Sequence, residues 1–136
     1  MALQSEACLR RSWSRSRSAL VFSATDKWFL HFDSAGGTNS EAAHELYKAM
    51  AQLFGGREVC KLRGASMAKQ GNGHDCGVYV LGVAKTLVEA PPEKLSGGCS
   101  ELEGMVAAAG LSDSSADSLR KEILQLVEEL GGAGDV

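Results

Sequence analysis

The sequence predicts an α+β domain in which a small sheet packs against helices. Three observations carry that expectation. Two short apolar and aromatic runs stand side by side early in the chain. Apolar residues recur at helical spacing in three later segments. A further strand-like run lies between the first two of those segments, giving the order ββαβαα with helices interleaved among strands. A chain of 136 residues has room for one compact core.

The elements follow in order. Ala19–Ala24 (ALVFSA) and Lys27–Asp33 (KWFLHFD) suit strands, with Thr25 and Asp26 as a tight hairpin turn. In the second run Trp28, Leu30 and Phe32 share one face, and Phe29, His31 and Asp33 the other. The aromatic residues are expected in the core. Residues 34–37 (SAGG) break the strand. Thr38-x-x-Glu41 then reads as a capping box for a helix whose Leu46, Met50, Leu53 and Phe54 fall at helical spacing, ended by Gly55-Gly56. Residues 58–63 (EVCKLR) predict a third strand with Val59 and Cys60 turned inward. A polar, glycine-containing loop covers 64–74, and a second helix spans about 75–89 with Val80, Val83, Ala84 and Leu87 inward, stopped by Pro91-Pro92. Residues 93–114 are rich in Gly and Ser, with a short helix near Leu102–Ala109. Leu119, Ile123, Leu126, Val127 and Leu130 form an amphipathic stripe finished by Gly131-Gly132.

Composition excludes several classes. Hydrophobic residues are 44% and charged residues 23%, the usual globular balance. A net charge of −3 argues against non-specific nucleic-acid binding. No apolar run is long enough to cross a bilayer, and the patch at residues 19–22 is too short for a signal peptide. The four cysteines (Cys8, Cys60, Cys76, Cys99) form no Cys-x-x-Cys pair and do not combine with the three histidines at zinc-ligand spacing. No disulfide framework, metal or cofactor is implied, and the expected setting is the reducing interior of the cytoplasm or nucleus. Residues 1–18 include the basic, Ser/Arg-alternating RRSWSRSRS and read as a disordered tail; 19–131 read as the folded domain and 132–136 as a C-terminal tail.

Chemistry concentrates in one segment, Gln70-Gly-Asn-Gly-His-Asp-Cys-Gly-Val-Tyr-Val80. A loop delivers Cys76 to the first turn of an apolar helix, where unpaired N–H groups and the helix dipole favour a thiolate. Gly77 leaves space beside the sulfur for a substrate carbonyl. Gln70 supplies an amide donor suited to an oxyanion hole. A cysteine at a helix start is by itself more often packing than catalysis.

This segment, preceded by W-F-L-H-F-D-S-A-G-G-T-N at 28–39, resembles the Ulp1/SENP family of ubiquitin-like-protein-specific cysteine proteases, and most of all its NEDD8-specific branch. The family places its acid in a strand-end H-Y-D-S motif and its nucleophile in Q-x-N-x-x-D-C-G-x-[YF]-V. Those patterns fall on His31–Ser34 and on Gln70–Val80. The resemblance implies a papain-like cysteine protease fold, incomplete at its N-terminal side. It implies Asp33 as the triad acid, Gln70 as the oxyanion-hole donor and Cys76 as the nucleophile. It also implies cleavage after the C-terminal Gly-Gly of a ubiquitin-like partner, NEDD8 or SUMO, with no nucleic-acid or membrane partner.

The family's general base is the His of a G-x-H-W-S-L-L-V-Y motif, whose latter half matches Ser18–Ser23. An ungapped register puts Ser16 on that His and Arg17 on the Trp. Setting Trp13 on the Trp instead puts Ser12 on the His. Neither register supplies an imidazole. His31 shares a strand face with Asp33, His44 is expected to face solvent, and His74 is too close to Cys76 along the chain to bridge it to Asp33. Two further readings therefore stand beside an active peptidase. One is an impaired or truncated homologue that only binds the modifier. The other is an α+β interaction domain unrelated to such modifiers, in which Asp33 and Gln70 would lie well away from Cys76.

Overall fold

The computed structural model describes residues 17–134. Positions 12, 13 and 16, on which the two histidine registers turn, and most of the expected Ser/Arg tail lie outside the described residues, as do 135 and 136. The elements are β1 (Ala19–Ser23), β2 (Trp28–Phe32), α1 (Ser40–Ala51), β3 (Lys61–Gly64), α2 (Cys76–Glu89), α3 (Pro92–Leu95), α4 (Cys99–Ala108) and α5 (Asp113–Gly134). β1 and β2 pair antiparallel, and β2 pairs parallel with β3 after the α1 crossover, so β2 is the central strand.

The alternation read in β2 sorts two cores. Leu30 and Phe32 pack with Val83, Cys99, Leu102 and Val106 from α2 and α4 on one face, with Trp28 beside them. Phe29 packs with Tyr47, Ala51 and Cys60 on the other, with Leu20 and Phe22 from β1 alongside. Burying β2 on both faces is the expected state of a strand with a parallel neighbour and helices on either side. Each fully buried large side chain there contributes about 1.5–3 kcal/mol.

Several local expectations are corrected. The hairpin is closed by four turn residues, 24–27, with Lys27 at φ 57°, rather than by Thr25 and Asp26 alone. The Thr38 capping box does not form. Thr38 Oγ1 donates to the Ala35 carbonyl, the N-cap is Asn39, and α1 starts at Ser40. The inward face of α1 is Ala43, Tyr47 and Ala51, while Leu46 and Leu53 are exposed. Tyr47 wins that place because its phenol donates to the Cys60 carbonyl at 2.7 Å, which lets the large ring be buried without an unpaired hydroxyl. A 3-10 turn at Gln52–Phe54 and Gly55 at φ 111° end the helix. β3 begins at Lys61, leaving Cys60 buried and Val59 exposed.

In α2 the buried residues are Cys76, Tyr79, Gly82 and Val83; Ala84 is exposed, and Val80 and Leu87 are half-buried. α5 runs through Gly131-Gly132 to Gly134, so the glycines do not stop it. Only its first half is packed. Ala116 is buried, Leu119 and Ile123 are half-buried, and Leu126, Val127 and Leu130 are exposed. No helix among the described residues is long and apolar enough to cross a membrane.

Candidate active site

The site is built where β2 ends. The chain leaves Phe32 and reaches Asp33, whose carboxylate accepts the backbone N–H of Ala35 at 3.0 Å and of Asn39 at 2.9 Å. The Asn39 side-chain amide approaches both carboxylate oxygens at 3.4 Å. Asp33 thus ties the residue before α1 back to the strand end, while α1 itself has no side-chain cap hydrogen bond, and the carboxylate's orientation is fixed by the turn it closes. A cleft of about 390 Å³ opens beside it, bordered by His31, Gly37, Ser66 and Lys69.

Gln70 is brought to this strand end through Ser34. The Gln70 N–H donates to the Ser34 carbonyl at 3.0 Å, and Ser34 Oγ donates to Gln70 Oε1 at 2.6 Å. Gln70 Nε2 donates to the Asn72 carbonyl at 2.6 Å. With its oxygen fixed by one residue and its nitrogen by another, the amide has a single orientation. Its second Nε2 hydrogen remains available to an anionic oxygen.

The loop then turns on Asn72. Asn72 Oδ1 accepts the N–H groups of His74 (3.0 Å) and Asp75 (2.9 Å), and Asn72 Nδ2 donates to Asp75 Oδ2 at 2.8 Å. Asp75 is the N-cap residue of α2, and its side chain, only 3% exposed, forms an ion pair with Arg120 of α5. A carboxylate this buried requires such partners. Cys76 follows as the first residue of α2 and is 6% exposed. A Cβ at Gly77 would approach only the Arg17 side chain, so the space beside the helix start stays open. An apolar groove of about 490 Å³ runs past it, lined by Gly77, Val78, Leu81, Ile123 and Leu124 among others.

The structure therefore joins Asp33 and Gln70 through Ser34, and joins Gln70 and Cys76 through the Asn72-centred loop. Among the described residues the Cys76 thiol makes no hydrogen bond to Asp33 or Gln70; backbone and second partners link the three. None of the chain's three histidines bridges Asp33 and Cys76. His31 Nε2 is hydrogen-bonded to Ser18 Oγ at 2.7 Å, and burial depresses its pKa, opposed in part by the charge of Asp33. His44 is exposed on α1 beside the Tyr47 ring. His74 is 77% exposed, with Nε2 3.8 Å from Asp75 Oδ1. No cluster of three His, Cys, Asp or Glu side chains among the described residues could hold a metal.

Sequence reasoning missed Asn39, Asp113 and Arg120, and gave no role to Ser34 and Asn72 although both stand inside the two motifs. Asn72 alone carried a local signal, since an Asn two residues ahead of a loop N–H is a ready turn former. Asp113 Oδ1 accepts the Gly71 N–H at 3.0 Å and the Tyr79 phenol at 2.8 Å. Those bonds hold Asp113 below the usual carboxylate range, and burial together with Asp113 pushes Tyr79 up to about 12. A Cβ at Gly71 would meet the Asp113 carboxylate and force it to shift away from the Gly71 N–H.

Residues 18–133 match the family described as Ulp1 protease family, C-terminal catalytic domain. The chain belongs to that family. Its small mixed sheet flanked by helices agrees with the papain-like architecture of the Ulp1 catalytic domain. The chain is also similar to NEDD8-specific protease 1 of Arabidopsis thaliana, at 29% identity over 116 residues, which cover 83% of this chain and 50% of the relative. It thus spans about half the length of that curated relative. No solved structure matches it.

Proposed function

We propose that this chain carries thiol-peptidase chemistry directed at the C-terminal Gly-Gly of a ubiquitin-like modifier, with NEDD8 preferred and SUMO the competing substrate. The observation that supports it most is the locked Gln70 amide, held by Ser34 beside Asp33 and tied by one short loop to Cys76 at the start of α2. In this reading the Cys76 thiolate attacks the carbonyl carbon after the Gly-Gly. The resulting oxyanion accepts hydrogen bonds from Gln70 Nε2 and the Cys76 N–H. Collapse forms a thioester and expels the amine, which must take up a proton; water then releases the modifier and regenerates the thiol. Asp33 would orient an imidazole that takes the Cys76 thiol proton and gives it to the leaving amine, a place that none of this chain's three histidines fills in the structure. The relative's name, a NEDD8-specific protease, supports the choice of modifier, which this chain would meet in the cytoplasm or nucleus.

The three histidine positions favour a second reading, in which the chain binds the modifier without turning it over. Loss of a positioned base costs about 10²- to 10⁴-fold. One experiment separates the readings: NEDD8 or SUMO bearing a C-terminal electrophile, followed by a NEDD8 fusion as substrate. Adduct at Cys76 with cleavage of the fusion supports the peptidase. Adduct or binding without cleavage supports the impaired homologue. Neither adduct nor binding with either modifier defeats both.

A further inference from the structure

Among the described residues, and apart from the helical bond from the Tyr79 N–H to the Asp75 carbonyl, the hydrogen bonds that hold the 70–76 loop from outside come from Ser34 and from α5. Asp113 and Arg120 lie seven residues apart, two helical turns and about 10 Å along one face. Between them Ala116 is buried, and its small side chain lets that face lie close. Asp113 grips the first end of the loop, accepting the N–H of Gly71 next to Gln70. Arg120 grips the last end, pairing with Asp75 next to Cys76, while its other terminal nitrogen is steadied by Asp117 at 2.7 Å. Asp113 also takes the phenol of Tyr79, one turn beyond Cys76 on α2.

We propose that α5 is a splint for the catalytic loop, with Asp113 and Arg120 as positioning residues that set the separation between the Gln70 amide and Cys76. The proposal rests on the roles given to Gln70 and Cys76 above. Neither positioning residue touches substrate; each acts through a loop residue. The two attachments differ in kind. Asp113 offers an acceptor to a backbone N–H and a phenol, so an uncharged acceptor of the same reach can replace it. Arg120 neutralises a buried carboxylate, so only another cation can.

The test uses the full chain labelled with ¹⁵N, which reads the loop whether or not the chain is active. In Asp113→Ala, exchange of the Gly71 N–H is expected to rise about tenfold, the effect of one lost hydrogen bond. The Gln70 side-chain amide signals shift as well. Asp113→Asn restores both. In Arg120→Gln the Asp75 and Cys76 N–H signals shift, and Arg120→Lys returns them toward the wild-type positions. Amides of the β1–β2 hairpin stay unchanged throughout. Asp113→Glu keeps the charge with a longer reach and moves the Gly71 and Gln70 signals even where Asp113→Ala does not fold. Unmoved Gly71 and Gln70 signals in Asp113→Glu would overturn the splint, as would shifts spread evenly over the whole fold. With the NEDD8 electrophile, both disruptive variants slow adduct formation at saturating probe and leave the half-saturating concentration unchanged. An unreactive wild-type chain defeats the functional reading alone, because the loop signals still decide the splint.

Discussion

Two helices of this molecule begin with a buried cysteine, and their surroundings differ in where the nearest carboxylate points. At α4, Cys99 meets Asp26 from the tip of the β1–β2 hairpin, 73 residues away. Asp26 accepts the Cys99 N–H at 2.9 Å and the Cys99 thiol at 3.4 Å. Burial, then the hydrogen bond to and charge of Asp26, push that thiol up to about 11. At α2 the carboxylate before Cys76 is directed away from the thiol, to Arg120 and Asn72. A helix start thus does not by itself make a nucleophile. At Cys99 burial and the facing Asp26 carboxylate hold the proton on the sulfur, and no such carboxylate hydrogen bond is made to the Cys76 thiol among the described residues.

The sharpest way to break this comparison is to remove each sulfur in turn. Cys76→Ser is expected to reduce adduct formation with the NEDD8 electrophile to background, whereas Cys99→Ser leaves the rate within about twofold. Mass spectrometry of the labelled peptide checks it, and the reverse result would undo the contrast. Gly98→Ala comes next. Gly98 holds φ 93° and ψ −175°, a region nearly closed to other residues, and a Cβ would sit 3.0 Å from Asp26 Oδ2. The expected loss is about 1–3 kcal/mol in urea unfolding. Asp26→Asn is milder, because an acceptor remains for the Cys99 N–H. It should cost about 0.5–1 kcal/mol and bring the alkylation profile of Cys99 to lower pH.

The smallest effect is confined to alkaline solution. The folded chain holds the Cys99 proton more tightly than an unfolded one does. Its contribution is therefore complete below about pH 8.5 and is lost as pH rises toward 11. Tyr79, pushed up to about 12, adds a further loss above about pH 10. Denaturant midpoints measured at pH 8 and 10.5 should fall, and the Cys99 share of the fall should shrink in Asp26→Asn.

What the sequence disclosed was local. The hairpin, the two-faced β2 and the loop before a cysteine-headed helix all rest on neighbours within a few residues, and all three are present. The candidate set of Asp33, Gln70 and Cys76 came from two ordered patterns, and the structure ties the three through Ser34 and the Asn72 loop. What stayed hidden depended on distant partners. The capping box failed because Thr38 bonds back to the Ala35 carbonyl in a turn that Asp33, five residues before it, holds through the Asn39 N–H. Leu46 lost its place to Tyr47 because the phenol found a carbonyl near β3. Asp113 and Arg120 drew no notice because they serve residues 42 and 45 positions away. The stripe on α5 reads the same whether it is covered or bare, and beyond Ile123 it is bare.

The parallel pairing of β2 with β3 imposes an order of events as the chain folds. β1 and β2 can zip together across their short turn within microseconds. β3 reaches β2 only after α1 has wound and the chain has returned, a slower loop closure. Gln70 and Cys76 lie beyond β3, and their last braces come from the C-terminal helix. On topology alone the cleft is accordingly expected to assemble last, on a hairpin already in place.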